Sequence, residues 1–165
     1  MLNRFNTVRI LDTIEMIEKY RLDIRTVTMG ISLLGCTRPT MEATAEAVYD
    51  RVTARASQLV EVCEGIEAEL GIPIVNKRIS ITPVSLIVAG SDGDPVDVAR
   101  ALDRAAAETG VDFVGGYSAL VEKGATTAEK ALIRSIPEAL AETNLVCSSV
   151  NIASSRAGIN MNAAA

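Results

Sequence analysis

The chain has 165 residues, of which 48% are hydrophobic and only 3% are aromatic, so aliphatic side chains and alanine must fill any core. Its net charge of −5 excludes nucleic acid as a partner, because a phosphate backbone requires a concentrated basic surface. A membrane is excluded as well, because the longest uncharged stretch, Ile79–Ser91, falls short of the ~20 apolar residues of a spanning helix.

The first part of the chain predicts a helix, a strand and a second helix. The first helix begins at Asn6 or Thr7, either of which can cap it, and the strand Ile24–Leu34 follows. The second helix runs from a Thr40 cap to a Gly71 stop. Apolar residues at helical spacing predict one buried stripe on each helix: Val8, Leu11, Ile14 and Ile17 on the first, and Ala45, Val48, Val52, Ala56, Leu59, Cys63, Ile66 and Leu70 on the second.

The rest of the chain continues this alternation of strand and helix. A strand at Pro73–Thr82 ends at Pro83, and the apolar run 85–90 fits either element. Asp94 and Pro95 begin a helix that continues to about Thr109 and stops at Gly110. An irregular strand at Val111–Val121 follows. The next helix is capped by Thr126 or Thr127, buries Ile133, Ile136 and Leu140, and has a kink or restart at Pro137. The last elements are a strand at Leu145–Ile152 and the approach to a further helix at Ser154–Gly158.

This alternation predicts an α/β fold with a mainly parallel sheet. Crossovers between parallel strands are right-handed, so strands that lie side by side in chain order place all helices on one face, as in a barrel or half-barrel. The strand sequences favour this arrangement because they alternate apolar and small polar residues, as where Val27, Met29 and Ile31 oppose Thr28 and Gly30. A doubly wound sheet, which is apolar on both faces, fits less well.

Five ordered segments of the chain resemble one known family. They are DIRTVTMGISLL at 23–34, GIPIVNKRIS at 71–80, GVDFVGG at 110–116, VCSSVNI at 146–152, and the segment from Ser155 to GINM at 158–161. They resemble the bacterial and archaeal proteins called uncharacterised protein family 0210, which carry a domain of unknown function numbered 711. The resemblance covers nearly the whole chain.

The resemblance implies a fold related to pyruvate formate-lyase and other glycyl radical enzymes, a barrel assembled from two parallel half-sheets. It also implies a homodimer. Family chains are much longer, so it implies that the single α/β domain at residues 1–165 is the truncated N-terminal part of a longer barrel. No segment resembles a glycyl radical loop, and the family has no settled activity for any residue to inherit.

Cys147, Ser149 and Asn151 form the best candidate site, because strand alternation sends all three to the polar face of the sheet. A thiol flanked by hydrogen-bonding groups can meet a substrate there, so Cys147 is the predicted catalytic group. Glycyl radical enzymes use a cysteine in their barrel, which supports this prediction by analogy. The alternative is a small, buried and inert cysteine whose polar neighbours satisfy backbone groups.

The predicted ligand-binding residues are Asn76, Arg78, Ser149, Asn151, Gly115 and Gly116. An arginine in a sheet requires an anionic partner, because an unpaired buried charge is costly. An ion pair of Arg78 with Asp112 or Asp23 is the stronger alternative to an anionic ligand, and Lys77 points to the opposite face. The two glycines either let a ligand approach the backbone or form a bulge in a strongly curved strand.

Three further features carry weaker predictions. Cys36 lies just past the first strand, at the edge where α/β folds bind ligands, or is a small loop residue. Ser154, Ser155 and Arg156 stand before the last predicted helix, whose free N–H groups can hold an anion, although ordinary capping explains the serines equally well. No metal site is predicted.

Two classes of function fit these residues. One is an enzyme-like barrel protein that binds or transforms a small anionic metabolite on its polar inner face. The other is a non-catalytic homodimer with a regulatory or structural role, which the absence of histidine favours because Ser-His and Cys-His catalysis are then excluded within this chain. Three cysteines without framework spacing, and charged residues near the N-terminus, predict a cytoplasmic location. The sequence names no substrate and no cofactor.

Overall fold

The computed structural model describes residues 7–20 and 23–164, whose main feature is a parallel sheet. Its strands are β1 (Val27–Ile31), β2 (Lys77–Ile81), β3 (Phe113–Leu120) and β4 (Val146–Asn151). They lie in the spatial order β1-β2-β3-β4, and all neighbours are parallel. The predicted mainly parallel α/β fold is therefore confirmed. Because consecutive strands are neighbours, right-handed crossovers bring the connecting helices to one face.

Seven helices are found in the described residues: α1 (Thr7–Glu18), α2 (Met41–Ala56), α3 (Leu59–Leu70), α4 (Ser85–Val88), α5 (Val96–Thr109), α6 (Thr127–Glu142) and α7 (Met161–Ala164). Predicted capping residues lie at the starts of α2 and α5. The side chain of Thr40 accepts a hydrogen bond at the start of α2, and that of Asp94 accepts one of 3.0 Å at the start of α5. Gly71 and Gly110 end α3 and α5 with left-handed backbones, φ 67° and 71°.

The helix predicted from Thr40 to Gly71 is in fact two helices. A turn at residues 57–58 separates α2 from α3. The buried stripe therefore ends early: Leu59 and Cys63 reach the core, but Ile66 and Leu70 are 39% and 55% exposed. The predicted stripe of α1 is also exposed at Leu11, while Asn6 and the side chain of Val8 lie outside the described part of the chain.

The buried face of helix α6 is only partly the one predicted, since Ile133 and Ile136 pack against the core and are partly buried. Leu132 and Ala139 are fully buried, whereas Leu140, predicted to be buried, is 41% exposed. Thr126 and Glu129 form a capping box that fixes the start of the helix. Pro137 lies inside a continuous helix.

The segment after β4 is a hairpin rather than the approach to a helix. Its strands β5 (Ala153–Ser154) and β6 (Gly158–Ile159) are antiparallel. The Ser154 hydroxyl accepts a hydrogen bond of 3.1 Å from the Ala157 backbone N–H across the turn. The predicted anion cradle of Ser154, Ser155 and Arg156 at a helix N-terminus is therefore wrong, since no helix begins there.

The four-stranded sheet has a helix-covered face and an open face. Buried residues on the helix-covered face are Ile31, Ile79, Ile81, Val114, Tyr117, Ala119 and Val146. The open face carries Thr28, Gly30, Arg78, Ser80, Phe113, Gly115, Cys147, Ser149 and Asn151, all partly or well exposed. The predicted sorting of apolar and small polar residues between two faces is thus confirmed.

Candidate functional site

Residues at the same level on neighbouring strands form two rows across the open face. Thr28, Arg78 and Phe113 are in register in the first row, and Gly30, Ser80, Gly115 and Cys147 are in register in the second. Neighbouring strands lie only ~4.8 Å apart, so these side chains are close enough to act on one ligand. They surround a hollow of about 360 Å³ lined by Thr28, Arg78, Ile79, Ser80, Phe113, Gly115 and Cys147.

Among the residues that the structure describes, Arg78 is the only cation that lines this hollow. Its guanidinium carbon lies 5.4 Å from the centre of the Phe113 ring, a cation–π contact that fixes the plane of the group. Its Nε is buried and has no hydrogen-bond partner among the described residues. The predicted ion pair is wrong: Asp112 accepts a hydrogen bond of 2.7 Å from the Lys77 backbone N–H, and Asp23 lies 3.6 Å from Arg25.

Lys77, next to Arg78 in the chain, points to the opposite face as predicted and is paired there with a carboxylate. Its ammonium group lies 3.2 Å from Glu67 of α3. The backbone N–H of Ile74, and then Lys77, hold the pKa of Glu67 below its ordinary value despite its partial desolvation. One strand thus separates a paired cation from an unpaired one.

Cys147 is the exposed one of the three free cysteines. It lies on the wall of the hollow, so the alternative of a buried, inert residue does not apply to it. Cys36 and Cys63 are only 1% and 2% exposed, which favours the interpretation of Cys36 as a small packed loop residue.

We expect iodoacetamide to alkylate Cys147 in the folded protein at least ~10 times faster than Cys36 or Cys63, because the two buried thiols react only when the structure opens. Peptide mass spectrometry of a labelling time course measures the three rates. In guanidinium chloride the three rates should converge. Equal rates in the native protein would show that Cys147 is not accessible.

The two adjacent glycines have different roles. Gly115 lines the hollow, and an added Cβ there would lie 4.0 Å from the nearest atom, the Ile79 carbonyl oxygen. Gly116 has φ 129° and forms a β-bulge at which the register between β3 and β4 shifts. Its carbonyl accepts a hydrogen bond of 3.0 Å from the Val84 backbone N–H. The bulge interpretation therefore applies to Gly116, whereas the approach of a ligand to Gly115 stays a prediction.

The other predicted ligand-binding residues lie beside the hollow and do not line it. The Asn76 side-chain amide donates a hydrogen bond of 3.0 Å to the Arg25 carbonyl oxygen, next to the amino end of β2. Ser149 and Asn151 are exposed on the open face, farther along β4 than Cys147. Phe113 was not among the predicted site residues. It lies two residues before Gly115 on the same strand and therefore on the same face, which is the signal that could have indicated it.

Among residues 7–20 and 23–164, the side chains of histidine, cysteine, aspartate and glutamate form no cluster of three able to hold a metal ion. No helix in the same residues combines the length and the apolar character needed to cross a bilayer.

The family model described as Uncharacterised ACR (DUF711) matches residues 15–165. A UPF0210 protein of Corynebacterium glutamicum is 77% identical over 154 residues, which are 93% of this chain and 33% of that protein. UPF0210 proteins of Streptococcus uberis and Ruminiclostridium cellulolyticum are 58% and 56% identical, over 95% and 94% of this chain and 36% and 35% of theirs. The chain spans about a third of the length of the curated relatives it matches.

Proposed function

The chain belongs to the DUF711 family of uncharacterised proteins, also named UPF0210, and we propose that the open face of its sheet binds a small anionic metabolite at Arg78. The observation that carries this proposal is the unpaired guanidinium. Its buried Nε–H has no acceptor in the described structure, and leaving a buried donor unsatisfied costs about 1–3 kcal/mol. A carboxylate or phosphate oxygen in the hollow supplies that acceptor and the opposite charge.

Each surrounding residue would contact a different part of the system, either the guanidinium or the ligand. Phe113 holds the guanidinium plane, and the hydroxyls of Thr28 and Ser80 are within the same hollow to bind polar groups of the ligand. Cys147 is on β4, two strands from Arg78, or ~10 Å between the backbones. A ligand of a few heavy atoms anchored at Arg78 would thus present its far end to the thiol, which is the proposed reactive group.

The residues beside the hollow would extend the site for a longer ligand. Ser149 and Asn151 continue the polar surface along β4, and Asn76 continues it along β2. We propose that these three residues orient the part of a longer ligand that extends beyond the hollow, consistent with their positions on or next to the open face.

An Arg78→Ala variant tests the anion site. We expect small carboxylates and phosphates that raise the melting temperature of the wild-type protein to bind at least ~10 times more weakly to this variant, since a charge-assisted hydrogen bond is worth about 1.5–3 kcal/mol. The stability of the unliganded variant should change by less than ~1 kcal/mol, because relief of the unsatisfied Nε–H offsets loss of the contact with Phe113 and no intramolecular ion pair is lost. Thermal shift titrations measure both quantities.

Arg25→Ala is the matched control, because Arg25 is 78% exposed and lies outside the hollow. It should leave every ligand-induced shift unchanged. Shifts that persist in Arg78→Ala would place the anion elsewhere and remove the basis of the proposed function.

The proposal extends to the architecture of the full-length family proteins. We propose that this sheet forms part of a barrel related to that of the glycyl radical enzymes, with the open face directed inward, and that the protein is a cytoplasmic homodimer. Placement of the helices on one face of a parallel sheet supports the barrel. The exposure of Ile10, Leu11 and Ile14 on α1 supports a dimer contact, because exposed apolar clusters are typical of interfaces.

A non-catalytic binding protein is the second candidate. It is favoured by the lining of the hollow, in which no carboxylate accompanies Cys147 in the described structure to act as acid or base. The two candidates differ in the role of the thiol. If ligand binding and any turnover are unchanged in Cys147→Ala while Arg78→Ala abolishes binding, the thiol has no chemical role and the regulatory or structural function is correct.

A further inference from the structure

Arg78 and Cys147 belong to strands on opposite sides of β3. Arg78 is in register with Phe113 of β3, and its guanidinium carbon lies 5.4 Å from the centre of the Phe113 ring. Cys147 is in register with Gly115 of the same strand. The backbones of Phe113 and Cys147 are therefore about 8 Å apart, since neighbouring strands are ~4.8 Å apart and alternate residues of a strand are ~6.6 Å apart. A short ligand that lies over β3 can contact both the guanidinium and the thiol.

The path between these two groups passes Gly115, which has no side chain. The φ of Gly115 is not positive, unlike that of Gly116, so the backbone does not require glycine at this position. Glycine inside a strand often marks a place where a ligand approaches the backbone closely. The hollow lies on the face of the sheet and is formed by strands that pair with one another, so a further strand at either edge would leave it in place.

The lining of the hollow restricts the reactions that the thiol can undergo. It contains no carboxylate among the described residues, and the chain has no histidine, so proton transfer by a neighbouring side chain is missing. Exchange with a disulfide needs no such group, because the displaced sulfur leaves as a thiolate. Cys36 and Cys63 are only 1% and 2% exposed, so neither can displace a thiol that is bound to Cys147 in the folded protein.

We propose that Cys147 forms a mixed disulfide with small thiols that carry a carboxylate, and that the attached thiol closes the hollow to the anionic metabolite. This inference rests on the proposed function, because it assigns a regulation to the same site. Contact between the carboxylate of the attached thiol and the guanidinium of Arg78 would select acidic thiols over neutral and basic ones.

The reaction is an exchange between the Cys147 thiol and a small acidic disulfide. The Cys147 sulfur loses its proton to water and attacks one sulfur of the disulfide. A new S–S bond forms, the original S–S bond breaks, and the displaced sulfur leaves with the electron pair and takes up a proton. Cys147 is thereby oxidised and the displaced thiol is reduced, so no other oxidant is needed.

Three disulfides of different charge test this inference: dithiodipropionate is anionic, hydroxyethyl disulfide is neutral, and cystamine is cationic. Mass spectrometry of the intact protein, with peptide mapping of the adduct, measures each rate. Division by the rate for an unstructured peptide of residues 144–150 corrects for the different leaving groups. We expect the corrected rate at Cys147 to be at least ~10 times higher for the anionic disulfide than for the cationic one. The net charge of −5 alone predicts the opposite order.

Two variants identify the cation responsible. Arg78→Ala should remove the preference for the anionic disulfide, and Arg25→Ala, which lies outside the hollow, should retain it. The dithiodipropionate adduct should also lose the Arg78-dependent rise in melting temperature that carboxylates produce, and dithiothreitol should restore it. Equal corrected rates for the three disulfides, a preference that persists in Arg78→Ala, or faster modification of Cys36 or Cys63 overturns the inference.

The regulation and the proposed function fail by different results. If carboxylate binding requires Arg78 but the disulfide rates do not depend on charge, the anion site stands and the regulation is wrong. If the charge preference requires Arg78 but no carboxylate or phosphate raises the melting temperature, the modification of Cys147 stands and the proposed metabolite site is wrong.

Discussion

Replacing Gly116 with alanine should cost the fold about 2–6 kcal/mol, the combined range for backbone strain and for overpacking in a core. The backbone of Gly116 has φ 129°, which side chains rarely tolerate. An added Cβ would lie 2.8 Å from the Ile81 carbonyl oxygen and would overlap the Ile81 side chain. Because domains are stable by only about 5–15 kcal/mol, the denaturant midpoint, measured by circular dichroism, should fall steeply.

Gly115→Ala is the matched control, one residue away on the same strand. Its added methyl would have space, with the nearest atom at 4.0 Å, so the stability should change by less than ~1 kcal/mol. The methyl would enter the hollow, so ligands that require Arg78 should bind more weakly. Similar midpoints for the two variants would show that the bulge does not require glycine.

Tyr117→Ala should destabilise the protein by about 3–5 kcal/mol, as expected when a large aromatic side chain is removed from a core. Tyr117 is the largest of the fully buried side chains, and its hydroxyl lies 2.6 Å from the Ser135 hydroxyl of α6. Ser135 donates its own proton to the Leu132 carbonyl, so Tyr117 is the donor to Ser135. Tyr117→Phe keeps the ring and should cost only about 0.5–1.5 kcal/mol, the net value of one hydrogen bond.

The same side chain makes stability depend on alkaline pH. Burial raises the pKa of Tyr117 to about 12, from an ordinary value of 10.0. The folded protein therefore holds this proton more tightly than the unfolded chain, so its contribution is complete below pH ~10 and is lost as the pH rises through ~12. The difference in stability between wild-type protein and Tyr117→Phe should narrow over this range in denaturant titrations. A constant difference would contradict the burial of the phenol.

Strand alternation was sufficient to predict the two faces of the sheet. Small polar residues at every second position of 24–34, 73–82 and 145–152 placed Arg78, Cys147, Ser149 and Asn151 correctly on the open face. Periods of two are imposed by local backbone geometry and need no tertiary information. The caps at Thr40 and Asp94 and the stops at Gly71 and Gly110 were also predictable, because helix ends are likewise set by the local sequence.

Features set by tertiary contacts could not be read in this way. The predicted ion pair of Arg78 does not form, because both candidate aspartates are engaged elsewhere: Asp23 with Arg25, and Asp112 with the Lys77 backbone N–H. The break between α2 and α3 occurs at Ser57 and Gln58, which carry no strong breaking signal. Local propensity was also insufficient at residues 153–159, where a short hairpin replaces the expected helix approach.

The bulge at Gly116 adds one residue to β3 and thereby shifts the alternation of faces along the rest of the strand. Upstream of it the odd-numbered residues Phe113 and Gly115 are turned toward the open face, whereas downstream the odd-numbered Tyr117 and Ala119 are turned toward the protein interior. If Gly116 were instead paired as an ordinary strand residue, a single phase would run along β3 and Tyr117 would be turned toward the solvent. The extra residue thus allows Phe113 and Gly115 to lie on the open face while Tyr117 and Ala119 are buried in the core.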